Sequence, residues 1–265
     1  MEVHNHSHDV THKKKWGEYL LEFLMLFLAV FLGFMAENFR EYRSDISKEK
    51  EYMRAMLSNV KMDTSFLNGS IAFNNLLIAG QDSTLHFLAG NLKNQDTADL
   101  ALIYYFKYCQ NNNTFRANDA TISQLKSGGG LRLIRNKDVV REINLYYDGA
   151  DYSTQQALGM NQYLLENAKE AGTIFNYIAN REFIDSAMLS RRFDFNTPVM
   201  EIKQWLARRA PTMLTTDEKA LAPFMQNISM QMGLTNGYNL ALGDVKTCAL
   251  KLMQAIKTNY HLDGE

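Results

Sequence analysis

Helix-breaking residues are scarce in this chain. Its 265 residues include only 3 prolines and 15 glycines, and stretches with apolar residues every three or four positions outnumber alternating ones. All-α is therefore the default fold class. An excess of one charge is also missing: the formal net charge is -1, without the basic excess or stripe that marks a nucleic-acid surface. Nucleic acid is set aside as a partner. Cysteine is limited to Cys109 and Cys248; an oxidising compartment would permit their disulfide, and two buried free thiols fit equally well. Of 6 histidines, only His86 and His261 lie beyond residue 12, which argues against a histidine-rich metal or triad site in the main part of the chain. Apolar residues are plentiful, at 46% against 22% charged. That is enough for a sizeable core, as one medium domain or two small ones, and it excludes a disordered chain.

The longest apolar run lies near the amino terminus. KKKWGEYLLEFLMLFLAVFLGFMAENFRE, residues 13–41, passes from three lysines through hydrocarbon into a dense field of charges. Residues 19–36, interrupted only by Glu22, would form a helix of roughly 27 Å, close to the roughly 30 Å of a bilayer's hydrocarbon core. A signal peptide also begins with lysines and an apolar run, but the small residues of its cleavage site are missing, because Phe34 precedes Ala36 and Phe31 precedes Gly33. Trp16 and Tyr19 at one end, with Phe39 and Tyr42 at the other, suit the two interfaces of a retained span.

Lys13, Lys14 and Lys15 are balanced by Arg40, Arg43, Lys48 and Lys50, so the positive-inside count does not set the orientation. A first hydrophobic segment behind a short basic tail commonly acts as a signal anchor. That would leave the tail in the cytoplasm and put the large domain in the periplasm of a bacterial inner membrane, or outside the cell. Glu22 has two readings. It contacts a partner or carries protons within the bilayer, or it lies near enough to the interface to be reached by water and by Lys14 and Lys15.

Helical patterning continues past the span. Met53, Met56, Val60 and Leu67 follow three-, four- and seven-residue spacings, the stripe of a helix leaning on another and a candidate self-association surface. Helix is expected to run on from the span, with 44–47 as one place for a break, and to stop at Gly90. Asp96 or Thr97 is placed to cap the next short helix, NNNTFRAND at 111–119 reads as a loop, and Asp119 opens a further helix. Asn136 is a good N-cap for a stretch long enough to be two helices or one traversing the bundle. Pro198 suits a first helical turn. TTDE at 215–218 has capping-box spacing and opens a last helical region that runs toward Tyr260, with 233–237 as one place for an interruption. The expected organisation is a polar His/Lys-rich tail (1–15), a transmembrane anchor (16–39), a helical stalk (40–68) and a bundle of long antiparallel helices (69–265).

The amino-terminal histidines, lysines and Trp16, then EYLLEFLMLFLAVFLGFMAENFRE and SKEKEYMRAML, with TISQLKSGGGLRLIRNKDVVREINLYY and LKLMQAIKTNY further on, resemble a family of uncharacterised single-span membrane proteins of Gram-negative bacteria, carried as a domain of unknown function. The resemblance covers the span and stalk well, the middle moderately and residues 182–237 poorly. It implies a membrane anchor with a helical soluble domain, and no activity or catalytic residue.

Other motifs have a structural and a chemical reading. His4, His6, His8 and His12 alternate along HNHSHDVTH, which lets an extended chain offer several imidazoles to one metal; a polar tail is the simpler reading, since no thiolate or fixed carboxylate completes a tetrahedral site. SGGGLRLI has its lysine, Lys126, before the glycines rather than after them, the wrong order for a phosphate loop, and reads as a turn. Arg191, Arg192, Lys203, Arg208 and Arg209 around Trp205 suit a lipid-facing surface or, more simply, a solvated rim about a core tryptophan. No cofactor loop or nucleophile–base pair is legible, so an enzyme is not expected. The expected function is a non-enzymatic sensor, scaffold or assembly module at the lipid bilayer, self-associating or bound to a membrane protein. The alternative is an accessory subunit of a transport or ion-driven complex that meets its partner through Glu22.

Overall fold

The computed structural model describes residues 15–188, 195–204, 206 and 211–262. These residues are all-α: seven α-helices with no strand among them, only one isolated bridge between Phe175 and Met213. The chain divides into two compact units, Met1–Glu51 and Tyr52–Glu265. The first is helical from Trp16 onward. It belongs to α1 (Trp16–Leu88), whose ladder shows no break at 44–47. The four residues there, Ser44, Asp45, Ile46 and Ser47, include neither proline nor glycine, so nothing removes a helical hydrogen bond.

The second unit is built on α1 from Tyr52, α4 (Lys137–Ile174) and α7 (Glu218–Tyr260), with α2 (Gln95–Tyr104), α3 (Ala120–Ser127), α5 (Arg181–Met188) and α6 (Val199–Lys203) as shorter pieces. The bundle thus begins well before residue 69. Buried positions recur at heptad spacing: 53, 56, 60, 63, 67, 70, 74, 77, 81, 84 and 88 in α1, and 221, 224, 228, 231, 235, 238, 242, 245, 249, 252 and 256 in α7. This is the seam by which long helices interlock. Met53, Met56, Val60 and Leu67 are fully buried in the chain's own core, beside Ile143, Tyr146, Val245 and Leu252. The expected self-association stripe is therefore used up within one chain. Each such side chain gains about 1.5–3 kcal/mol from burial, and withdrawing four to meet a second copy would forfeit that.

Helix ends follow from local chemistry. Asn136 caps α4 as its sequence suggests, accepting the amides of Asp138 and Val139 at 2.9 and 3.1 Å. The cap of α2 is Asn94 rather than Asp96 or Thr97, since its side chain accepts both of their amides. For α7 the cap is Asp217, which accepts the Ala220 amide at 3.2 Å, while Thr215 only steadies the approach through the Asp217 amide. Pro198 stands one place before α6, at its N-cap. α4 is one helix, and α7 passes through 233–237 unbroken. A side chain built on Gly233 or Gly237 would meet nothing within 4 Å, so these glycines lower helix propensity without a steric cause for a stop. Gly129, at φ 65°, supplies the left-handed turn after α3.

Direction follows from side-chain pairs. Asn136 donates to Asn259, Asn167 to Gln231 and Asn227 to Glu170 at 2.6, 2.6 and 2.8 Å, so α4 and α7 are antiparallel. Between α2 and α3 the chain returns as a non-helical segment, 110–119, that runs against both α1 and α4: Cys109 meets Thr84 and Asn118 meets Asp63, while Thr154 bonds Phe115 and Tyr147 bonds Asn118. Thus α1 and α4 are parallel, and α7 alone is antiparallel to its neighbours. The core falls into two apolar clusters, one from Met53 to Leu262 and one from Leu88 to Ile228. Between them lie buried polar side chains from all three long helices: Asn74, Gln81 and Thr84, then Asn167, then Gln231 and Thr235.

Among the described glycines, Gly80 has the least room. A Cβ there would sit 1.9 Å from Cγ of Tyr108, a ring atom next to the backbone that cannot swing aside. Gly80→Ala is expected to destabilise the protein by about 1–3 kcal/mol, although alanine gains about 1 kcal/mol in helix propensity. Denaturant unfolding of the full chain in mild detergent, followed by circular dichroism, measures this; unchanged stability would refute the contact.

Candidate functional site

Two regions hold groups that ordinary packing does not absorb, and the first is the apolar part of α1. From Trp16 to Phe39 its large apolar side chains are exposed, including Phe23, Phe27, Phe31 and Phe34. One stretch of the helix is long and apolar enough to cross a membrane. At about 100° per residue, Glu22, Ala29, Gly33 and Ala36 fall within one sector about 60° wide. The phenylalanines occupy the other side, with the rings of Phe23, Phe27 and Phe31 stacked at 6.4 and 5.9 Å. A Cβ on Gly33 would touch nothing. This stretch is thus lopsided, small and acidic on one face, bulky and aromatic on the other.

The second region is the bundle's polar interior. Asp63 is 2% exposed; its carboxylate accepts the Tyr146 hydroxyl at 2.6 Å and the Asn118 amide at 3.0 and 3.2 Å. Burial pushes this carboxyl above its usual range, against both hydrogen bonds, which pull it down. The same segment is held by three more side chains. Tyr238 accepts the Phe115 amide at 2.8 Å, Thr154 donates to the Phe115 carbonyl at 3.1 Å, and Tyr147 donates to the Asn118 carbonyl at 3.0 Å.

Below this level the chain widens into one π-helical turn, Tyr105–Cys109. Such turns store an extra residue and often accompany functional sites. Here the turn inserts a carbonyl and a phenol into the polar belt. Gln231 donates to the Cys109 carbonyl at 2.9 Å, and the Tyr105 hydroxyl donates to the Asn167 carbonyl at 3.0 Å while accepting from Gln110. Lys107, 5% exposed, gives its ammonium to the Thr197 carbonyl at 2.7 Å and stands 5.5 Å from the ring centres of Tyr108 and Phe195. Burial raises the Tyr105 phenol and pushes the Cys109 thiol up to about 12. Both therefore stay protonated at neutral pH and serve as neutral hydrogen-bonding groups.

Two clefts among the described residues can be placed. One, of about 460 Å³, is lined by Gln95, Asp96, Asp99, Met200, Lys203 and Leu206 among others. Within it Lys203 pairs with Asp96 at 2.6 Å, and Asp99 accepts Gln95 and Thr212. The charges are thus largely spent on neighbours. The other cleft, of about 370 Å³, lies between residues 88–93 and the start of α7. His4, His6, His8 and His12 lie outside the described residues, as do Arg191, Arg192, Trp205, Arg208 and Arg209. Cys109 and Cys248 are free thiols, the first buried and the second half-buried. No family model matches the chain, and neither a curated protein nor a solved structure matches it.

Asp63, Tyr238 and Gln231 were not singled out from the sequence. For Asp63 the signal is a charged residue on a buried stripe between apolar Val60 and Leu67.

Cys109 is expected to resist a maleimide or iodoacetamide at pH 8 in the folded protein and to react once it is denatured, with Cys248 modified sooner. Peptide mass spectrometry of the alkylated full chain reads both sites. Rapid native labelling of Cys109 would show that the π-turn is not sealed.

Proposed function

We propose that this chain is a membrane-anchored, non-enzymatic helical module that senses, scaffolds or assembles at a bacterial inner membrane. The observation that carries this reading is the apolar part of α1, long enough to cross a bilayer with its large side chains exposed, in a chain whose other unit buries its own core. The bonds made by Asn167, Gln231, Asp63 and Tyr105 run to neighbouring helices and to the return segment rather than into either cleft, which supports a structural role for them. The amino-terminal resemblance to uncharacterised single-span bacterial membrane proteins agrees with the anchor. In this reading the basic tail stays in the cytoplasm and the bundle is periplasmic.

A carboxyl-terminal tag, protease treatment of intact spheroplasts, fractionation and intact mass from one sample test it. The expected result is a full-length, membrane-bound species whose tag is digested from outside. Protection of that species would place the bundle in the cytoplasm, and a soluble species lacking the first segment would remove the anchor.

A second reading is favoured by the shared sector of Glu22, Ala29, Gly33 and Ala36: an accessory subunit of a transport or ion-driven complex. Small residues let another helix approach closely, and an acidic group at that depth gains from a polar contact. In that case Glu22→Leu keeps the protein in the membrane and abolishes recovery of polytopic partners in mild detergent. Recovery equal to wild type would reject Glu22 as the contact.

A further inference from the structure

Asp63 is a buried acid held only by neutral donors. The groups acting on its carboxyl are the desolvating core, the Tyr146 hydroxyl and the Asn118 amide. The titratable groups facing it are few. Tyr146 and Tyr147 come from α4; Asp119, next to Asn118, acts on Tyr147; Arg116 in the same segment is exposed. From α7, Tyr238 reaches Phe115, while Leu242, Val245 and Ala249 are apolar. From α3, Thr121 accepts the amide of Asn59, one turn before Asp63.

Geometry makes this acid part of a latch. Asn118 is the last anchoring point of the 110–119 return segment, and Asp63 is where that segment meets α1. If the segment lifts, the Asn118 amide leaves and water reaches the carboxylate, while Tyr146 stays beside it on α4; when it closes, the charge loses water and gains that amide but no opposite charge. We propose that Asp63 makes closure of the 110–119 segment respond to pH, the segment being held more tightly in mild acid than at neutral pH.

The direction follows from linkage. The closed state holds the carboxyl above its ordinary value of 3.8 because burial outweighs the two hydrogen bonds. Closed protein thus binds the proton more readily than open protein. Its stabilising effect is complete below about pH 3.8 and is lost as pH rises through the higher, closed-state value. This inference concerns the bundle alone and does not rest on the membrane reading.

Hydrogen exchange of the full chain in mild detergent, read by mass spectrometry from pH 4.5 to 7.5 and corrected for intrinsic rates, tests it. Protection of peptides covering 110–119 is expected to fall severalfold as pH rises, while peptides from 242–256 in α7 stay level. Asp63→Asn, which cannot ionise, should flatten the response. Tyr146→Phe removes a bond that favours the anion, so it should move the fall to higher pH. An unchanged response in Asp63→Asn, or protection that rises with pH in the wild type, overturns the proposal. If Asp63→Asn does not fold, a Tyr146→Phe transition that stays in place or moves to lower pH overturns it as well.

Discussion

A backbone that leaves the helical state inside a bundle must find partners for its N–H and C=O groups, and that requirement organises this molecule. Residues 110–119 carry no helical ladder, yet Phe115 is 3% exposed. Leaving one such group bare would cost about 1–3 kcal/mol. The Phe115 and Asn118 groups are met instead by Asp63 from α1, Thr154 and Tyr147 from α4, and Tyr238 from α7. Because every long helix contributes, the segment constrains all three at once. Its existence follows from topology: α1 and α4 are parallel, and parallel neighbours need a return path.

Much of the helical architecture was legible because it rests on local signals. Apolar spacing marks α1, α4 and α7, and Asn136 declares its cap by residue type and position. Local signals were less reliable where several residues compete for one role. Asn94, Asp96 and Thr97 are all capping types, and Asn94 wins because its carbonyl oxygen accepts the amides of the other two. The same holds for Thr215 and Asp217. Neither of the two places that allowed a break, 44–47 and 233–237, interrupts its helix. Polar or glycine-rich composition lowers propensity by tenths to about 1 kcal/mol per residue, which heptad burial on both sides of 233–237 exceeds; residues 44–47, whose amino side is exposed, keep the ladder because they include neither proline nor glycine.

Long-range relations were less legible still. The loop at 111–119 could be recognised by its Asn and Asp content, but not its place in the core, since its partners lie up to 123 residues away in sequence. Met53, Met56, Val60 and Leu67 were correctly read as a packing stripe. Its partner could not be read, because an apolar stripe looks the same whether the next helix belongs to this chain or to another. For the apolar stretch of α1, composition indicates length and Glu22 indicates an asymmetry; the stacked phenylalanines add that the bulky groups gather on the other face.

The polar belt explains why a core with such regular spacing has one register. Heptad positions alone are nearly indifferent to sliding one helix along its neighbour by a repeat, since one apolar residue replaces another. Slip α7 by seven residues along α4, and Phe224 or Tyr238 takes the position now held by Gln231, as Ile228 or Leu242 takes that of Thr235. Asn167 then loses its carbonyl partner, and the Cys109 carbonyl loses the Gln231 amide that meets it at 2.9 Å. Each buried group stranded in this way costs about 1–3 kcal/mol, so the misaligned bundle is penalised several times over while its apolar burial scarcely changes. The π-turn sharpens the choice. By widening the backbone at Tyr105–Cys109 it brings a carbonyl and a phenol to the belt, and only one alignment of α4 and α7 satisfies both.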